Sequence, residues 1–178
     1  MTADQVLAEL ASVRRRLLAE FEGFNDASFV RLPPGGGWSA SQVAEHLARV
    51  EGNILRGARH ALEKGSRVRP GALDALRKLP LRAGYLEWIR VRTVRGADPA
   101  ADPGEPLPRA PVLARLAVVR HETVAFLEAT RERDLDRLYL GHPFFGAFPV
   151  RDMMAWAAWH EERHRRRVVR LRDKLRVR

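Results

Sequence analysis

His160, Glu161 and His164 stand in the order H-E-x-x-H near the end of the chain, within the stretch HEERH. Two histidines four residues apart on a helix sit one turn from each other, so both imidazoles can reach one ion. A glutamate beside the first histidine is the arrangement in which a carboxylate assists a metal-bound water, as in zinc proteases. Glu161 is thus a weak catalytic candidate. Its neighbour Glu162 argues for a plain solvated stretch of helix.

The protease chemistry lacks its remaining parts. Such enzymes need a third protein ligand, commonly downstream. Only residues 165–178 follow, and they contain no His, no Glu and no Gly. Asp173 lies nine residues beyond His164 on the same helix and cannot fold back to the ion. A third ligand has to come from upstream. There is also no strand series that would offer an edge for a peptide substrate.

His46 is the upstream candidate. It follows Val43 by three residues and precedes Val50 by four, so it lies on the same inward stripe of a second helix. The pair His160 and His164 falls between Trp156 and Val168 on the stripe of its own helix. Three inward histidines from two helices can hold a divalent metal and leave positions open for water or substrate. The alternative is three separately satisfied core histidines; the spacing of the pair, with a third at matching depth, favours the metal. Of the other histidines, His142 precedes Pro143 and is expected to shape a turn in a loop. His121, between Ala117 and Val124, is expected at the core edge in a structural role, or as an extra ligand. His60 lies about four turns beyond His46, too far to share its metal.

The helices that must carry these residues are legible. Val6, Leu10, Val13, Leu17 and Phe21 predict a helix over about 3–22. A second is predicted to about Lys64. Ser39 is its N-cap, Gln42 completes a capping box, and Trp38 and Val43 can form a hydrophobic staple; Val43, Leu47, Val50, Ile54 and Ala58 face inward. A third is predicted from about Val112 to Arg133, with Leu113, Leu116, Val124 and Leu127 in the core. A fourth starts near Arg151 and continues almost to Arg178, with Met153, Trp156, Val168, Leu171 and Leu175 inward. Residues 65–111 are broken repeatedly by Gly and Pro. Short helical turns are expected near Ala72–Lys78 and Leu81–Arg90, and ADPAADPGEPLP reads as an extended surface segment. Four helices and one long irregular crossover between the second and third give an all-α four-helix bundle in a single domain, 1–178.

Composition bounds the rest. The chain has 178 residues and no cysteine, so it has no disulfide framework and no thiolate of its own. No apolar run approaches the roughly 18 residues of a membrane span, and MTADQVLAEL has no signal pattern; a cytoplasmic protein is expected. The formal net charge is +10, from 32 Lys and Arg against 22 Asp and Glu. Residues 163–178 hold nine of the former and one of the latter, which leaves 23 against 21, or +2, for the rest. The excess is a basic helix end, suited to the helix dipole, and not a nucleic-acid footprint spread over the surface.

WSASQVAEHLARVE and HPFFGAFPVRDMMAWAAWHEERH, in this order and far apart, resemble the second-helix and closing motifs of the DinB/YfiT-like superfamily. With the helix plan the resemblance covers most of the chain; the middle, 65–111, is not diagnostic. It implies a DinB-like bundle with up-down-down-up topology, often a homodimer. It also implies a zinc or nickel ion held by three histidines, which on this chain are His46, His160 and His164. Relatives of this kind include thiol S-transferases that use bacillithiol or mycothiol, so a metal-dependent transferase or hydrolase acting on a small molecule, with a low-molecular-weight thiol as cosubstrate, is implied. A non-catalytic metal-binding stress-response protein is the alternative. One departure stands out: where relatives often carry a Gln beyond the last His, this chain has Arg165, Arg166 and Arg167.

Overall fold

The computed structural model describes residues 1–71, 106–142 and 146–175. Helix α1 spans Ala3–Glu22, a short α2 spans Asp26–Val30, α3 spans Ala40–Lys64, α4 spans Arg109–Ala129 and α5 spans Val150–Leu175. Between α4 and α5 lie a 3₁₀ turn, Leu135–Arg137, and a hairpin of β1, Tyr139–His142, and β2, Gly146–Pro149. The short helical turns expected near 72–78 and 81–90, and most of the extended segment after them, lie outside the described residues, as do 176–178.

Both of the first two long helices start with a reciprocal cap. Thr2 and Gln5 form one capping box and Ser39 and Gln42 the other. In the second, the Gln42 amide donates to Ser39 Oγ at 3.2 Å and the Ser39 amide donates to Gln42 Oε1 at 3.0 Å. A cap of this kind is worth about 1 kcal/mol, and here it fixes the helix start two turns before His46. The preceding turn reverses through Gly35, Gly36 and Gly37, whose φ values of 81°, 86° and 119° suit only glycine.

Helix directions follow from side-chain pairs. Arg14 meets Glu161 while Glu20 meets Arg165 and Arg172, so α1 and α5 run parallel. Ser41 reaches the Leu107 carbonyl, Glu51 meets Arg120 and Arg59 meets Glu122, so α3 and α4 are parallel too. The end of α3, at Ile54–Ala61, shares a core with the start of α5, and its beginning with the end of α5, so those two are antiparallel. The result is up-down-down-up. Parallel neighbours cannot be joined by a tight turn: the 25-residue α3 is about 37 Å long, and the chain must travel back along that length before α4 begins. This is the physical reason for the long crossover read from the sequence.

The hairpin was not expected from a stretch rich in Gly and Pro. It pairs Leu140 with Phe148 and His142 with Gly146, buries Phe148, and lays Leu140 against α3 at Gly57. A Cβ at Gly57 would stand 3.2 Å from a Leu140 methyl, so a larger residue there would require Leu140 to shift by a few tenths of an ångström. His142 therefore ends a strand and is not a loop residue. His121 is likewise displaced from its expected place: it is exposed, on the outer face of α4.

The apolar interior consists of two clusters. One holds Val6, Leu10, Val13, Ile54, Leu55, Leu127 and Met154; the other holds Leu17, Phe21, Phe29, Val43, Leu47, Leu116, Val168 and Leu171. On every long helix the break between them falls on polar residues: Arg14 on α1, Glu51 on α3, Arg120 on α4, and Glu161 with His164 on α5. A polar layer thus crosses the bundle.

Candidate metal centre

The structure brings His46, His160 and His164 together beside that layer. One ligand nitrogen from each lies within 4.8 Å of the others, and the Nε2 atoms of His46 and His160 are 3.4 Å apart. A tetrahedral ion with bonds of about 2.0–2.1 Å separates its ligand nitrogens by about 3.4 Å. His46 and His164 are buried and His160 is half-buried. Aromatic rings hold the imidazoles in place. Trp38 stacks on His164, with centroids 5.8 Å apart and planes 9° apart, and touches His46 at 4.8 Å. Trp156 stacks on His160 at 4.7 Å and 19°.

The donor set fits a divalent ion. Burial first, then the charges of His46 and Arg163, push His160 well below the usual histidine range. Burial, then His160 and His46, does the same for His164. Both imidazoles are therefore neutral at neutral pH and keep a lone pair for a metal. The Nδ1 of His164 is buried with no hydrogen-bond partner among the described residues. An orphaned polar atom costs about 1–3 kcal/mol, and coordination is one way to recover it.

His142 is the residue that sequence reasoning misplaced. The hairpin brings its ring edge-on to Trp156, with centroids 4.8 Å apart, and burial lowers its pKa from 6.5 to about 4. The unfolded chain takes up protons below about pH 6.5 that the folded chain refuses. The stability of the metal-free protein is thus expected to be complete above that pH and to fall as the pH drops towards 4. Denaturant unfolding at several pH values checks this, with a shallower acid loss in His142→Phe; stability independent of pH over that window contradicts it.

Glu161 is not the solvated helix residue expected beside Glu162. It is 2% exposed. Arg14 Nε donates to its Oε1 at 2.7 Å and Arg120 Nη2 to its Oε2 at 2.6 Å. The same two guanidiniums hold Glu51: Arg14 Nη2 donates to its Oε2 at 2.9 Å and Arg120 Nε to its Oε1 at 2.7 Å. Each arginine also caps a carbonyl of the other's helix. Arg14 Nη1 donates to Leu116 O at 2.6 Å and Arg120 Nη1 donates to Leu10 O. The four long helices thus give one residue each to a neutral buried quartet. The sequence signal was present, since Arg14 and Glu51 sit on the predicted inward stripes.

The DinB superfamily model matches residues 9–168. The sequence is 25% identical to the uncharacterised protein YuaE of Bacillus subtilis (strain 168), over 88% of this chain and 90% of that one. It is 27% identical to a protein of Geobacillus kaustophilus (strain HTA426) provisionally named a metal-dependent hydrolase, over 94% of this chain and 83% of that one. Two solved structures share the fold. TT2238, a four-helix bundle protein, superposes with a TM-score of 0.59 at 24% identity, covering 95% of this chain and 99% of the other. YfiT from Bacillus subtilis, described as a probable metal-dependent hydrolase with an unusual four-helix bundle topology, does so with 0.62 at 20% identity, covering 97% and 87%.

Proposed function

Since this chain belongs to the DinB superfamily, we propose that it is a divalent-metal-dependent hydrolase whose ion is held by His46, His160 and His164. The observation that carries the reading is the convergence of three imidazole nitrogens, from two helices, within 4.8 Å. The names of the Geobacillus relative and of YfiT point the same way. Zinc or nickel suits neutral nitrogen ligands. When bound, such an ion supplies Lewis acidity and lowers the pKa of a coordinated water or thiol.

The chain's own residues set the terms of that chemistry. Trp38 and Trp156 fix the ring planes and exclude water from two sides of the triad. Glu161 is unsuited to act as base, because both its oxygens are held by Arg14 and Arg120. A thiol S-transferase built on the same centre, with a bacillithiol- or mycothiol-type cosubstrate, is the finer version of this proposal. The homodimer and the cytoplasmic location rest on the family resemblance and the composition; among the described residues no helix is long and apolar enough to cross a membrane.

Protein loaded with zinc or nickel is to be assayed against ester, amide and phosphoester panels, and against electrophiles with and without low-molecular-weight thiols. Metal-dependent turnover of the first set supports a hydrolase, and thiol-dependent turnover of the second a transferase. Full metal loading with no turnover in either leaves the alternative, a non-catalytic metal-binding protein.

A further inference from the structure

A groove runs along the outer face between α3 and α4. Its cavity of about 460 Å³ lies within the range of small-molecule pockets, about 300–1,000 Å³. None of the three histidines lines it, so it is separate from the metal centre. On α3 it follows residues 45, 49, 52, 56 and 59, which recur at three- and four-residue steps and so share one face. Its floor is small or apolar: Ala48, Gly52 and Leu55 from α3, with Ala114, Val118 and Val119 from α4. Arginines stand along its walls, three on α3 and Arg115 on α4.

Two features of the groove do not follow from the packing of the bundle. Gly52 stands inside the 25-residue α3, where glycine is less favourable than alanine. The packing does not demand it. A Cβ there would meet Arg56 Nη1 at 3.5 Å and a Val119 methyl at 3.6 Å, both ordinary contacts. The missing side chain instead gives the floor its depth, and Val118 on the rim is 57% exposed. The second feature is charge. Both carboxylates of the groove are already taken, Glu45 by Arg49 and Glu122 by Arg59. Arg56 bonds only the neutral side chain of Asn53, and Arg115 has no ion pair or hydrogen bond among the described residues. Four arginines against two glutamates leave two positive charges beside an apolar floor.

We propose that this groove binds a small amphipathic anion, a carboxylate on an apolar chain, with its head at Arg115 and its chain over Gly52 and Leu55. The planar guanidinium fork takes a carboxylate with two parallel hydrogen bonds. One unpaired guanidinium beside an apolar floor suits a singly charged head better than a phosphate dianion. Arg56 stands on the opposite wall and adds to the attraction for an anion. The chain covers the floor that Gly52 leaves open and removes Val118 from water. The site involves no bond making, and it stands whether or not the three histidines hold a metal.

The probe is octanoate, titrated by calorimetry at fixed ionic strength into metal-free and zinc-loaded protein. Acetate supplies the head alone and 1-octanol the chain alone. Octanoate is expected to bind at least about tenfold more tightly than either, because buried methylenes and the charged head both contribute. Its affinity should be the same with and without zinc. Gly52→Leu fills the floor and Arg115→Gln removes the partner of the head. Each should lose at least about tenfold in affinity, while Arg15→Gln, the same change of charge on α1, leaves it unaltered. Arg115 is exposed, so its variant tests the site even where Gly52→Leu fails to fold. Failure of octanoate to bind the wild type overturns the proposal. If Gly52→Leu then also changes the oligomeric state, measured by sedimentation, the groove belongs to a second copy of the chain. Binding that requires zinc overturns the proposal too, since it puts the carboxylate on the metal. Octanol bound as tightly as octanoate, or unchanged affinity in Arg115→Gln, does the same.

Discussion

Metal content is expected to fall from a full equivalent to background in His46→Ala and in His164→Ala, and to stay unchanged in His121→Ala and His60→Ala. The first pair removes imidazoles whose nitrogens meet. The second pair removes a histidine exposed on α4 and one bonded to Arg67 near the far end of α3. A site with two remaining protein ligands binds a divalent ion far more weakly, since even groups that only orient a ligand are worth about 10–100-fold. Elemental analysis of dialysed protein reads the outcome. His46→Ala is the more informative of the two, because His46 is the only triad member on α3. Alanine there leaves the His160 and His164 pair intact, so retained metal in this variant would show a site confined to α5 and sink the three-histidine centre. Circular dichroism separates loss of ligand from loss of fold. Trp38 packs on both His46 and His164, so either single change leaves it one imidazole partner, and the variants should remain helical.

The long helices and the triad were legible because each rests on a local, periodic signal. The capping box at Ser39 set the register of α3, and the register put His46 inward with Val43 and Val50. The i, i+4 spacing of His160 and His164 needed only that α5 be continuous. Two things escaped. The hairpin carries its pairing in a register between Tyr139 and Pro149, and the Gly and Pro residues that shape such a turn read equally as loop. His142 was misplaced with it. The quartet escaped because charge hides the inward stripe: Arg14, Glu51, Arg120 and Glu161 occupy core positions by spacing, but a charged side chain alone is expected outside. Its partner must be known before its burial makes sense, and the partners lie on four different helices.

That interdependence sets the size of the effect expected when one member is removed. In Arg120→Met two buried carboxylates share the single guanidinium of Arg14, and the Leu10 carbonyl loses its donor. Breaking a buried pair in this way costs about 3–5 kcal/mol, a large part of the roughly 5–15 kcal/mol that holds a typical domain together. Arg59→Met provides the scale, because Arg59 and Glu122 form a pair with side chains 47% and 45% exposed; such pairs are worth about 0–1 kcal/mol. Urea unfolding of the two variants should differ accordingly, and a loss below about 1 kcal/mol for Arg120→Met would contradict the quartet. Replacing all four members by apolar residues of similar volume removes the buried charge along with its compensation, so it should cost far less than the single change. If that apolar quartet folds stably but binds metal poorly, the polar layer serves to set the rotation of α3 and α5 that makes His46, His160 and His164 converge. If it binds metal as well as wild type, packing alone sets that rotation. In both cases Glu161, the residue that gives HEERH its protease look, has its two oxygens engaged by Arg14 and Arg120.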